Sequence, residues 1–262
     1  MDLELQGRHV LVTGGSRGIG LACAQAFLRE GARVSIAGRS AEHLAQAALQ
    51  LREHGAPVAC HRADLTDAVA ARALVEAVEA QGGPVDVLVS SAGAAVRTPF
   101  AELDPGAWMA AMQAKFFACI NVMDPLVKRM AARGQGAIVN VVGMGGKVPT
   151  RTHLAGGAAN AALMLASAGL AAAYGPQGVR INAVNPSQTL TGRLAEGIAA
   201  EARLRQISEA EVLRQATANA PLGRLAAPQE IADVVLFLAS PRAAYVSGAV
   251  LSVDGASSPM VV

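Results

Sequence analysis

The sequence predicts an α/β domain in which a doubly wound parallel sheet carries helices on both faces. Three observations predict it. Short β-branched runs alternate with Ala/Leu-rich stretches from one end of the chain to the other. Those runs are apolar at nearly every position rather than at every second one, as expected of strands covered on both faces. The 262 residues, 52% hydrophobic and 16% charged, contain no linker, repeat or low-complexity segment. They make one domain, 1–262, with a sizeable core, and they rule out disorder.

The elements follow in order. RHVLVT (8–13) is the first strand, with a helix from about Ile19 to Glu30 behind it. RVSIA (33–37) leads to a helix through Leu51, then to PVACH (57–61), a helix over 67–80 and VDVLVS (85–90). A longer helix from about Asp104 to Ala132 precedes GAIVNVV (136–142). An Ala-rich helix, VRINAV (179–184), a variable segment to about Pro221, a helix over 228–239 and AVLSV (249–253) complete about seven strands.

Composition narrows the function. Lys and Arg number 22 against 20 Asp and Glu, a net charge of +2 without any basic run, which argues against nucleic acid as a partner. Cys23, Cys60 and Cys119 stand far apart in no metal-ligand spacing, so they read as small apolar residues of a reducing compartment, and no metal is expected. MDLELQGRHV has acids where a signal peptide needs bases, and a cytoplasmic location is expected. From Thr152 to Val179 no charged residue occurs, which is long enough for a membrane span. Its Ala, Gly, Ser and Asn suit close helix packing instead, so the segment reads as an internal or subunit-interface helix buried on all sides, with no membrane contact.

The first strand runs through Thr13 into Gly14, Gly15, Ser16, Arg17, Gly18, Ile19 and Gly20, and then into a helix. Glycines at such a turn let a pyrophosphate approach the backbone while the helix N-terminus offers free N–H groups. With TGGSRGIG (13–20), Asp64-Leu65, SSAG (90–93), VRINAVNPSQTLT (179–191) and the run 221–256, the chain resembles the short-chain dehydrogenase/reductase family along essentially its whole length. The 3-oxoacyl-carrier-protein-reductase-like branch is the most similar. The resemblance implies a Rossmann-type fold, a carbonyl or alcohol small-molecule substrate, and a homodimer or homotetramer paired through the long helix and the Ala-rich helix. It also implies cofactor contacts at Gly14, Ser16, Arg17, Gly18, Ile19 and Gly20, at Asp64 and Leu65 for the adenine, and at Ser91, Ala92 and Gly93. Pro186, Thr189 and Thr191 fall in the loop that holds the nicotinamide. The second strand ends Ala37-Gly38-Arg39-Ser40 with no acid, and Arg39 and Arg17 can both meet a 2′-phosphate, so NADP(H) is expected over NAD(H).

The family's Ser, Tyr, Lys and Asn are another matter. Its Tyr and Lys lie four apart, so that both face the pocket. Here Tyr174 and Tyr245 are followed four residues later by Gly178 and Ala249, and Lys115, Lys128 and Lys147 are preceded by Ala111, Asp124 and Gly143. No YxxxK occurs. Matching IVNVVGMGG (138–146) and HLAGGAANAAL (153–163) to the family puts Gly143 at the serine, Gly156 at the tyrosine and Asn160 at the lysine, while Lys115 falls at the asparagine. Asn and Lys have thus changed places, and a contact between Lys115 and Asn160 in the pocket is expected. Gly143, Gly156 and Gly157 are expected to leave that pocket wider. His153, one helical turn before Gly156, reads as a solvent-exposed loop histidine or, alternatively, as the nearby group with a pKa suited to proton transfer. Three functions stay open: an NADP(H)-dependent oxidoreductase using Lys115, His153 or water; a lyase or isomerase in the enlarged pocket; or a catalytically silent cofactor-binding subunit or sensor.

Overall fold

Strands that are apolar on both sides have to lie between two layers. In the computed structural model, which describes residues 1–54, 57–93 and 95–260, they do. Gly55, Ala56, Ala94, Val261 and Val262 of the expected span 1–262 lie outside the described residues. The chain runs β1 (His9–Thr13), α1 (Gly18–Arg29), β2 (Arg33–Gly38), α2 (Ala41–Leu51), β3 (Ala59–Arg62), α3 (Ala68–Gly82) and β4 (Val87–Ser90). It continues with α4 (Pro105–Ala111), a π-helical turn (Met112–Phe117), α5 (Ala118–Ala132), β5 (Gly136–Val141) and α6 (Leu154–Tyr174). The last elements are β6 (Val179–Pro186), α7 (Gly192–Arg205), α8 (Glu209–Ala218), α9 (Pro228–Ala239) and β7 (Val250–Val253).

The seven strands form one parallel sheet in the order β3-β2-β1-β4-β5-β6-β7. Because side chains alternate along a strand, Val10 and Val12 of β1 pack against α1, α2 and α9 through Phe27, Leu44 and Val235. Leu11, between them, packs on the other face with Val75 of α3, Val122 of α5 and Leu163 of α6. The chain steps outward from β1 to β3 and returns to β4 on the other side of β1. A crevice therefore opens at the carboxyl ends of β1 and β4, the place where doubly wound sheets bind ligands.

Three details refine the sequence expectations. The variable segment, to which the sequence assigned no element, holds α7 and α8. Their self-contained apolar contact is small, with Ile198, Ala202 and Val212 as its buried members, so hydrophobic periodicity could not disclose them. The long helix starts after its Asp104 cap, whose carboxylate accepts from Ala107 N at 2.6 Å, but the widened turn at 112–117 divides it. The Ala-rich helix buries Ala155, Ala159, Leu163 and Ser167 among others against its own domain while Leu165 on another face is 77% exposed, so of the two readings the wholly internal helix does not hold and the subunit-interface helix remains open.

Arg180 of β6 ties the sheet to the end of α9. Its guanidinium donates to the carbonyls of Leu238 (2.8 Å), Ser240 (3.0 Å), Ala239 (3.2 Å) and Val246 (3.3 Å), so it satisfies orphan acceptors at a helix C-terminus where positive charge is favoured. Burial pulls its pKa below the ordinary arginine value, and the carbonyls replace part of the water it gives up. Arg180→Ala is expected to cost roughly 2–4 kcal/mol, since it leaves several acceptors without a charged donor. Urea unfolding followed by circular dichroism reads that loss as a lower midpoint at unchanged slope.

Candidate active site

The glycine-rich turn after β1 is built for contact rather than for looseness. Gly14 has φ +68°, and a Cβ there would lie 2.8 Å from the Ser91 carbonyl oxygen. A Cβ on Gly20 would collide with the Gly14 carbonyl oxygen. Gly14 N donates to Ala37 O at 2.8 Å, and Ser91 N to Thr13 O at 3.1 Å, which locks the ends of β2, β1 and β4 together. Arg17 is the exposed N-cap residue of α1, with Gly18, Ile19 and Gly20 in the first helical turn. The result is a backbone cradle at a helix N-terminus, closed to any side chain, and it fits the pyrophosphate of a dinucleotide.

The other cofactor candidates line the same edge. Ser16 Oγ lies 3.4 Å from where a Cβ on Gly38 would stand, beside the exposed Arg39 at the end of β2. Arg62, at the end of β3, donates from Nε to the Arg39 carbonyl at 3.1 Å and adds a second guanidinium that sequence reading overlooked. Asp64 Oδ1 accepts from Thr66 N at 3.0 Å and from Thr66 Oγ1 at 2.8 Å, bonds that hold its carboxyl below the ordinary range, with Arg39 adding to them. The Leu65 carbonyl accepts from Asn121 Nδ2 at 2.9 Å. Ala92 N faces Thr13 Oγ1 at 3.4 Å, while Gly93, at φ +97°, packs where a Cβ would strike the Ala114 carbonyl in the π-turn. Past Pro186, the last residue of β6, Thr189 Oγ1 donates to Ser187 O and Thr191 Oγ1 to Thr189 O, each at 3.2 Å. The methyl group of Thr191 comes within 3.3 Å of a Cβ position on Gly18.

Next to this edge the polar groups are left wanting. Seven buried side-chain N or O atoms lack a hydrogen-bond partner among the described residues, and five of them belong to Ser90, Asn140, His153, Asn160 and Asn185, at the ends of β4, β5 and β6 and the start of α6. Buried polar atoms without partners are rare, and a cluster of them marks a place for water or ligand. Lys115 enters from the π-turn and donates from Nζ to the Val141 carbonyl at 3.1 Å, near the end of β5. Burial, reinforced by Arg193, pulls its pKa below the ordinary lysine value. Lys128 instead pairs with Asp124 at 2.8 Å on the surface, and Lys147 is tied to β7 through Val250 O and Ser252 Oγ. Asn160 is 4% exposed, with Nδ2 at 3.4 Å from a Cβ position on Gly143. Lys115 and Asn160 thus converge on the Val141–Gly143 segment, but no hydrogen bond joins them among the described residues.

His153 is not a solvent-exposed loop residue. It is half-buried at the N-cap of α6, and its ring folds back over the first turn so that a Cβ on Gly156 would collide with Cε1 and lie 2.5 Å from Nε2. The room expected at Gly156 and Gly157 is therefore taken, while a Cβ on Gly143 would meet only Asn160 Nδ2. Imidazole covers Gly156, and the Gly145 carbonyl would stand 2.6 Å from a Cβ on Gly157. Burial and then the cations Arg97, Arg193 and Lys115 push the His153 pKa down to about 4, so the ring is neutral near pH 7. Arg97 and Arg193 escaped the sequence reading, one in the loop after SSAG and one in the segment taken as variable. Their common signal is position, since both follow the carboxyl end of a strand that flanks the crevice.

The Enoyl-(Acyl carrier protein) reductase family model matches residues 14–257. The chain is 37% identical over 255 residues to galactitol 2-dehydrogenase (L-tagatose-forming) of Cereibacter sphaeroides, a match covering 96% of this chain and 95% of that protein. The crystal structure of L-sorbose reductase from Gluconobacter frateurii, complexed with NADPH and L-sorbose, aligns over 100% of both chains with TM-score 0.92 and 30% identity. An actinorhodin polyketide ketoreductase variant with NADPH aligns over 97% of this chain and 98% of its own at TM-score 0.94 and 31% identity.

A depressed histidine pKa makes stability depend on acid. Between its ordinary value of 6.5 and about 4, the unfolded chain binds a proton at His153 that the folded chain refuses. Folding stability contributed here is complete above pH 6.5 and is lost as pH falls through that window. His153→Gln is expected to lose less stability than the parent between pH 7 and pH 4.5, as read from urea midpoints; equal losses would show that the ring titrates normally.

Proposed function

On those matches the chain belongs to the short-chain dehydrogenase/reductase family, and we propose that it is an NADP(H)-dependent oxidoreductase interconverting a hydroxyl and a carbonyl group, with His153 standing in for the family's tyrosine. The observation that carries this reading is the imidazole lying over Gly156, the position at which the resemblance puts that tyrosine. Bound NADP(H) would supply or accept the hydride. The relatives complexed with NADPH support the cofactor preference, as does a second strand that ends in Arg39 and lacks an acid.

The chain's own residues do the rest. The Gly14–Gly20 turn binds the pyrophosphate, Arg39, Arg17 and Arg62 meet a 2′-phosphate, and Asp64 and Leu65 border the adenine. Ser91, Ala92, Gly93, Pro186, Thr189 and Thr191 orient the nicotinamide end. His153 takes the hydroxyl proton at Nε2 in oxidation, being neutral at pH 7, and returns it in reduction. Negative charge that develops on the substrate oxygen is met by the Lys115 ammonium, already desolvated and therefore strong at short range. Asn160 supplies a buried carbonyl oxygen that awaits a donor.

The finer expectation, the 3-oxoacyl-carrier-protein-reductase-like branch, is part of this proposal. So is a homodimer or homotetramer. The exposed apolar side chains Trp108, Met109 and Phe117 on the long helix and Leu165 on α6 support it, because an apolar surface of that kind favours a partner. Of the other readings opened by the sequence, the lyase or isomerase loses its enlarged pocket to the imidazole, and no observation favours a silent subunit.

Two outcomes test the reading. His153→Gln is expected to lower kcat by about 10²–10⁴-fold while leaving the NADPH dissociation constant within about threefold, and to abolish the acid limb of the pH–rate profile for alcohol oxidation. An unchanged kcat in stopped-flow single turnovers discards His153 as the proton carrier. Separately, Arg39→Ala is expected to weaken NADPH by roughly 1–3 kcal/mol and leave NADH nearly unchanged, because only NADPH carries the extra phosphate. Calorimetric titration of both cofactors reads the difference, and equal losses would refute the assignment.

A further inference from the structure

Arg97 lies between the start of α6 and α7 and Arg193 lies on α7, and beyond lowering the His153 pKa neither has a role in the cofactor binding or proton transfer described above. Arg97 Nη1 faces Thr152 Oγ1 at 3.5 Å, one residue before His153, and its Nη2 stands 3.3 Å from a Cβ position on Gly197. That guanidinium therefore spans from the start of α6 to α7. Arg193 lies one turn before Gly197 on α7, on the same helical face, and Nη2 donates to the Ala95 carbonyl in the loop after β4. Their acidic company is thin. Glu196 is 3.4 Å from Arg193 but its side chain is 63% exposed, and Glu201 acts on Arg97 from farther along α7. Every charged group that acts on the imidazole is a cation: Arg97, Arg193 and Lys115.

We propose that Arg97 and Arg193 form a subsite for a carboxylate on the substrate, so that the reaction acts on a hydroxy or oxo acid. The proposal rests on the oxidoreductase reading for the words hydroxy and oxo, and on these two guanidiniums alone for the word acid. Guanidinium forks match a carboxylate in plane and in charge, and here Thr152 and the Ala95 carbonyl position two of them, with the exposed Glu196 as the one carboxylate bonded to either. A carboxylate placed among them also reverses the local field. Cations that hold His153 unprotonated are offset when the anion arrives, and the ring's affinity for a proton rises as the substrate binds. The competing source of negative charge is the cofactor's own pyrophosphate, since Arg193 stands two residues beyond Thr191, which approaches Gly18.

The test is binding, not turnover. The full-length protein, with and without saturating NADP⁺, is titrated calorimetrically with 4-oxopentanoate, 5-oxohexanoate and 4-oxocyclohexanecarboxylate, each beside its neutral primary amide. At least one acid is expected to bind tenfold or more tightly than its amide. Arg97→Gln and Arg193→Gln are each expected to bring that acid within threefold of the amide while NADP⁺ affinity stays within threefold. A preference below tenfold for every pair overturns the proposal without needing any variant to fold. So does a tenfold loss of NADP⁺ affinity in Arg193→Gln with the acid preference intact, which gives that guanidinium to the cofactor. If the acid preference is present but His153→Gln turns over normally, the proton-carrier reading fails and the carboxylate subsite stands. If turnover needs His153 and no acid is preferred, only the subsite falls.

Discussion

The missing Cβ at Gly156 is the constraint on which the site depends. A helix start normally projects its first-turn side chains outward or toward the preceding turn, and any residue larger than glycine here would meet the His153 ring. With glycine in place the N-cap imidazole folds back over the helix, trades solvent for contact with the first turn and loses its affinity for a proton. Steric room, burial and electrostatics are thus one event at one position. The glycine and the histidine form a steric pair, each shaping the other's position.

The surroundings extend that event. A parallel sheet ends all its strands on one edge, so the terminal carbonyl and amide groups of β4, β5 and β6 crowd together with few neighbours to satisfy them. The asparagines Asn140, Asn160 and Asn185 each donate or stand close on one side and keep an unpartnered oxygen on the other. Lys115 meets a carbonyl of the same edge rather than an acid. A cation bound by a neutral acceptor keeps its field, whereas one paired with a carboxylate spends it.

Much of this was legible in the sequence, for reasons that particular residues make clear. β1, β4 and β6 announce themselves because both faces are buried, and Val10, Leu11 and Val12 are all at 0% exposure. The glycine-rich turn announces itself because close approach requires glycine and nothing else. α7 and α8 stayed hidden because their buried residues are few and mostly serve each other. The placement of the His153 ring stayed hidden for another reason: a spacing of three residues says that two positions are near, but not that one ring lies over the other's α-carbon. Arg97 and Arg193 could not be joined from sequence at all, because the strand order brings together loops that are ninety-six residues apart.

The π-helical turn at 112–117 has a consequence for how this helix can change over time. In an unbroken α-helix each residue advances the face by about 100°, so one residue gained or lost upstream swings every side chain below it out of register. A turn that already holds an extra residue can take up such a slip. Below it, α5 buries Cys119, Val122, Met123, Leu126, Val127 and Met130 against the sheet and cannot rotate. Above it, α4 buries Ala111 alone. The turn joins a half that is fixed by the core to a half that buries a single residue. A residue inserted or removed in α4 is therefore expected to be absorbed at the turn and to leave α5 seated in the core.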